Sequence, residues 1–122
     1  MKLNFAHFCD YAFITEKGTP SLIGIFSGIR AEKLPSEKRD IFAIIDISTE
    51  KEKKYKFSIV LSAPSGKKMN EREIDAESSN TGHIGFLGKI DNVIFQEEGK
   101  YEASIFCNNK KLDSFSFLVV KK

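Results

Sequence analysis

The stretch YKFSIVLSA (Tyr55 to Ala63) decides the fold class. Tyr55, Phe57, Ile59, Leu61 and Ala63 share one side of an extended chain, and Lys56, Ser58 and Ser62 share the other. A period of two belongs to a β-strand with one face in the core and one in water, not to a helix. The next residues, Pro64-Ser65-Gly66-Lys67, form a tight turn, in which Pro presets φ and Gly supplies the permissive position.

The same period recurs outward from this segment. In DIFAIIDIS (40–48), Ile41, Ala43, Ile45 and Ile47 line one face while Phe42 and Ile44 begin an apolar second face. A strand apolar on both faces is central or covered by a loop. In KYEASIFCN (100–108), Tyr101, Ala103, Ile105 and Cys107 oppose Lys100, Glu102 and Ser104, so Cys107 points inward. Turn residues divide the runs at short intervals: Glu16-Lys17-Gly18-Thr19 before SLIGIFSGI, Glu97-Glu98-Gly99 before the Tyr101 strand, and Asn108-Asn109 before the closing SFSFLVV. About eight strands result, and the fold class is all-β, an antiparallel sandwich or barrel. Residues 70–79 (NEREIDAESS) are charged all round, which leaves an edge strand or a helical turn; their place after the Pro-Ser-Gly-Lys turn favours the edge strand.

With 122 residues the chain fits a single domain, 1–122, large enough for a core without staples. Hydrophobic residues make up 41% and charged residues 30%, the proportions of a soluble globular protein. A net charge of +2 gives no drive toward nucleic acid or an anionic membrane, and neither is expected as a partner. The eleven Phe are expected mostly in the core. Asn4, His7 and Asp10 interrupt the N-terminal apolar residues, so no secretory signal is expected and the cytoplasm is the expected location. Cys9 and Cys107 then read as free thiols in or near the core.

The stretch FCDYAFIT (8–15) poses the question of chemistry. His7 and Cys9 share one strand face with Phe5 and Tyr11; Ala6, Phe8, Asp10 and Ala12 share the other. A nucleophilic Cys needs a base or a positive environment, which His7 supplies in principle, but no oxyanion-hole motif accompanies it. Packing is therefore the expected role of Cys9, and no catalytic residue is assigned. His7, Cys9, His83 and Cys107 match no metal-ligand spacing, and neither metal nor cofactor is expected. Asp10 is costly beside Phe8 and Ala12 unless it sits at an edge or accepts hydrogen bonds; a structural tie through backbone N–H groups is the favoured reading. Gly24 and Gly28 lie within a strand with no helix following, and signal bulges or close packing.

Taken together, the N-terminal FCDYAFITEKGTPSLIGIFSGI, the KLP at Lys33 to Pro35 and the closing GKYEASIFCNNKKLDSFSFLVV resemble a family of small bacterial proteins that forms a domain of unknown function. The matching features are Asp10 at the strand, Gly18 in the turn, IGIF at Ile23 to Phe26, Pro35 in the loop, and Gly99 and Tyr101 in the last hairpin. The turn here reads Lys-Gly-Thr where the family pattern has Gly-Lys. The resemblance implies an immunoglobulin-like β-sandwich and no activity. By analogy with such sandwiches, Tyr101 would anchor a corner through its hydroxyl.

Two functions follow as expectations. The first is a non-enzymatic binding or protein-interaction module that uses an exposed strand edge, or the loops 31–39 and 78–83, toward a protein partner. Its candidate binding residues are Asp10, His7 and His83, and self-association through a sheet edge is a further form of it. The second is a small enzyme or ligand binder built on a His7/Cys9/Asp10 cluster with His83. It requires those side chains to meet in one concave site.

Overall fold

A computed structural model describes every residue, Met1–Lys122. Nine strands form it: β1 (Lys2–Ile14), β2 (Pro20–Phe26), β3 (Gly28–Ala31), β4 (Arg39–Ser48), β5 (Lys54–Ser62), β6 (Lys68–Glu77), β7 (His83–Val93), β8 (Gly99–Cys107) and β9 (Lys110–Lys121). They pair into a four-stranded sheet, β2-β1-β4-β7, and a five-stranded sheet, β3-β9-β8-β5-β6. All pairings are antiparallel except β3 with β9.

The extra strand comes from SLIGIFSGI, which is two strands rather than one. The chain leaves the first sheet at Ser27 and crosses to run parallel to β9, where the Leu118 N–H donates to Ser27 O at 3.0 Å. A strand that passes from one sheet to the other, here β2 into β3, with β8 lying between β5 and β9, fits an immunoglobulin-like sandwich. Residues 70–79 lie mostly in β6, an edge strand and the hairpin partner of β5. The turn before it is closed by the Gly66 N–H to Ala63 O (2.9 Å), with Gly66 at φ +92°.

The alternating residues read inward from 55–63, 40–48 and 100–107 meet between the sheets. One cluster surrounds Phe8, Phe95, Tyr101 and Phe117; another holds Ile45, Ile47, Phe57, Ile84 and Ile105. Half-buried Ile59 and Phe115 touch both clusters. Tyr101 is wholly buried, and its ring packs on Phe95 and Phe117. Its hydroxyl donates to Glu97 O at 2.7 Å, four residues upstream, which is the tyrosine corner expected at the start of this strand. Gly99 precedes it at φ +131°, and an added Cβ would lie 2.8 Å from Pro64 Cγ. Gly99 and Tyr101 thus have separate tasks: the glycine lets the chain pass Pro64, and the tyrosine ties it down.

The Phe residues divide in an unexpected way. Phe8, Phe57, Phe95 and Phe117 are core, but Phe5 and Phe13 are among the exposed large hydrophobic residues.

Candidate interaction surface

β1 pairs with β4 only as far as Cys9, whereas its pairing with β2 runs on to Ile14. The β1–β2 hairpin therefore projects beyond β4 as an arm. Its tip is closed by the Thr15 N–H to Thr19 O (2.8 Å) and the Gly18 N–H to Thr15 O (2.9 Å), with Gly18 at φ +79°. The arm has no second sheet over its outer face, and that face is apolar. Tyr11 is 51% exposed, Ile23 56% and Ile25 57%, with Phe5 and Phe13 on the same face similarly open. Tyr11 is paired across the strands with Ile23 and meets Phe42 edge-on at 5.3 Å, so the patch runs from β2 across β1 to β4. At about 100 Å² for each of these five half-exposed side chains, the patch reaches roughly 500 Å². That is the upper end of what a monomer usually leaves open, ~300–600 Å².

The free edges differ sharply in charge. β6 carries Lys68, Glu71, Arg72, Glu73, Asp75 and Glu77; β7 carries Lys89 and Asp91; β3 carries Arg30. Charges of this kind discourage strand addition. β2, PSLIGIF, has none.

Asp10 sits where the arm leaves the sandwich, and its side chain is 54% exposed. The expected backbone N–H donors are absent. Its Oδ1 instead accepts from Arg39 Nη2 at 2.5 Å, at the start of β4. The Arg39 guanidinium also lies 5.4 Å from the centre of the Phe26 ring. Across the hairpin, Gly24 adopts φ +70°, and a Cβ there would collide with the Asp10 carboxylate. Asp10 is therefore a tie, made side chain to side chain, that fixes the arm against β4.

The other candidate residues do not gather around it. Cys9 is on the opposite strand face from Asp10, wholly buried, with Ile25 and Phe42 as its cross-strand neighbours. Burial pushes its thiol pKa up, and the Asp10 charge adds to this, so the nucleophilic thiolate is disfavoured. His7 stacks on Phe5 at the margin of the apolar patch. It registers with Ile44 on β4 whereas His83, two strands away, registers with Ser48. Four residues along the strands and two strands across put the two imidazoles roughly 16 Å apart. The convergence that the enzyme reading requires is not present.

The loops considered as recognition surfaces are tied down. The Ser36 N–H donates to Phe95 O and the Phe95 N–H to Ser36 Oγ, both at 2.8 Å. Buried Ser78 donates to Glu50 O at 2.6 Å and accepts from the Lys53 N–H at 2.9 Å. Alternation missed the exposed face because Phe5, Tyr11 and Phe13 look like core when both faces of a strand are apolar. The missing charge in residues 20–26 was the signal available.

Three comparisons place the chain among known proteins. The sequence matches no curated protein. Its fold is similar to the crystal structure of an immunoglobulin-like protein from Pseudomonas aeruginosa, at 14% identity and a TM-score of 0.49, covering 98% of this chain and 95% of that one. The model of a family of unknown function, DUF6941, matches residues 4–120. The chain belongs to that family of unknown function.

Proposed function

We propose that this chain is a non-enzymatic protein-interaction module that docks through the free edge of β2 and the apolar face beside it. One observation carries the reading: β2 alone among the four edge strands lacks a charged residue, and the side chains next to it are half exposed. Strand addition at such an edge draws affinity from main-chain hydrogen bonds and specificity from alternate side chains.

The occupant these features favour is a second copy of the chain. An antiparallel pair of β2 strands centred on Gly24 sets Ile23 opposite Ile25 of the other copy twice over, as two-fold symmetry requires. Two patches of the size above bury about 1,000 Å² together, at the lower bound of a specific interface. A net charge of +2 adds little repulsion between copies.

Sedimentation equilibrium tests this. The wild type is expected to dimerise in the micromolar range, and Ile23→Lys/Ile25→Lys to remain monomeric with its fold intact. A wild type that stays monomeric up to about 1 mM removes self-docking.

A further inference from the structure

The two sheets are open along one side. There β6 and β7 are edge strands of different sheets with no ladder between them. A cavity of about 390 Å³ enters the sandwich at this opening, and eleven of its sixteen lining residues are hydrophobic. Its floor includes Phe8 and Phe115, stacked at 4.5 Å. It also explains why Ile59 is only half buried although Phe57 and Leu61, on the same face of β5, are sealed. Gly88 lies on the inward face of β7, in register with Ala43, and leaves the opening free of a side chain. Such a glycine inside a strand is a mark of close approach by another group.

Arg72 stands at the mouth. It is on the inward face of β6, in register with Ile59, and reaches across the gap to donate from Nη2 to Lys89 O at 3.1 Å. Its Nη1 would lie 3.5 Å from a Cβ at Gly88. None of the nine ion pairs includes Arg72, whereas Lys89 beside it is shared between Asp40 and Asp91. A guanidinium with no carboxylate partner, at the opening of an apolar cavity, matches a carboxylate on an aliphatic chain.

We propose that this cleft binds a single-chain aliphatic carboxylate, with the chain between the sheets and the carboxylate on Arg72. The volume sets the length. A methylene takes about the space of a water molecule, ~30 Å³, so the cavity holds roughly 12 carbons. Ligand sites are normally apolar cavities of ~300–1,000 Å³ with a few placed polar groups, and this cleft has both properties. The site lies away from the β2 edge and does not depend on the docking reading.

The experiment is a calorimetric titration of the full chain with octanoate, decanoate, dodecanoate, hexadecanoate and dodecanol, each below its micellar concentration. Affinity is expected to rise about fourfold per added methylene up to dodecanoate and then level off. Dodecanol is expected to bind at least tenfold more weakly than dodecanoate. Arg72→Met, which keeps the apolar stem, is expected to bring dodecanoate down to the level of dodecanol. Gly88→Leu is expected to abolish binding of both; if it does not fold, amide and methyl shifts of the wild type on adding dodecanoate locate the ligand independently. Shifts at Ile59, Ile74 and Phe115 support the cleft. No saturable binding, equal binding of acid and alcohol in the wild type, or shifts at Tyr11 and Ile23 instead would overturn the proposal.

Discussion

Replacing Tyr101 with Phe removes one oxygen and leaves the ring in place. The ring remains packed on Phe95 and Phe117, with centroids 5.0 and 5.5 Å away, so no cavity forms. What is lost is the hydrogen bond from the hydroxyl to Glu97 O at 2.7 Å and the weaker one it accepts from the Glu97 N–H at 3.4 Å. Leaving half-buried backbone groups without these partners costs about 1–2 kcal/mol. For 122 residues the unfolding entropy is about 0.25 kcal/mol per degree, so Tm falls by about 4–8 °C. The pH dependence gives a second signature. Burial raises the phenol pKa above its usual value of 10.0, with the Glu97 charge adding to it. A group with a raised folded pKa stabilises fully below the unfolded value and loses that contribution as pH rises through the folded value. The gap between wild type and Tyr101→Phe is therefore expected to be constant from pH 6 to 9 and to close above pH ~10; Tyr11 and Tyr55 cancel in the comparison. Urea unfolding at each pH measures it. A variant within 0.3 kcal/mol of wild type at pH 7, or a gap unchanged at pH 11, would refute the corner's role.

Two further substitutions address the arm. Asp10→Ala breaks a pair that is half in water and is expected to cost less than about 1 kcal/mol. Gly24→Ala meets both φ +70° and the Asp10 carboxylate, and is expected to cost about 2 kcal/mol or more. In the Asp10→Ala background the clashes with the carboxylate are gone while the close contact with Cβ of residue 10 (3.0 Å) and the φ strain stay, so the Gly24→Ala penalty shrinks by about 1 kcal/mol without vanishing; an additive double mutant in urea unfolding would contradict the contact. The thiols give a chemical test. Cys9 is expected to resist a disulfide-exchange reagent in the native protein at pH 8 and to react only on unfolding, whereas half-buried Cys107 reacts slowly; fast native labelling at Cys9, located by peptide mass, would contradict its burial.

Much of the fold was legible because period two is unambiguous when one face is polar. Tyr55 to Ala63 and Tyr101 to Cys107 needed nothing more, and the turn at Pro64 to Lys67 correctly marked residues 70–79 as an edge strand, which the structure places mostly in β6, Lys68–Glu77. Where both faces are apolar the same signal is silent about which face is inward. FCDYAFIT is such a segment, and its exposed Tyr11 and Phe13 follow from how far the hairpin outruns β4, a property of the whole sheet. SLIGIFSGI hid its break for a related reason: apolar residues lie on both sides of Ser27 and no turn residue such as Pro or Asn marks the point where the chain changes sheets. Asp10 stood out as a misfit, but its partner Arg39 is 29 residues away and only the folded register joins them. The cleft depends on two strands that never pair, so no local pattern in β6 or β7 could announce it.

The docking role of β2 is tested most directly by amide hydrogen exchange of residues 20–26 at about 5 µM and about 500 µM protein. If β2 pairs with a second copy, its amides not bonded to β1 gain protection at the higher concentration. That gain disappears in Ile23→Lys/Ile25→Lys, while β6 amides are unchanged in both. Equal exchange of the β2 amides at the two concentrations would contradict the claim that a second copy docks at this edge.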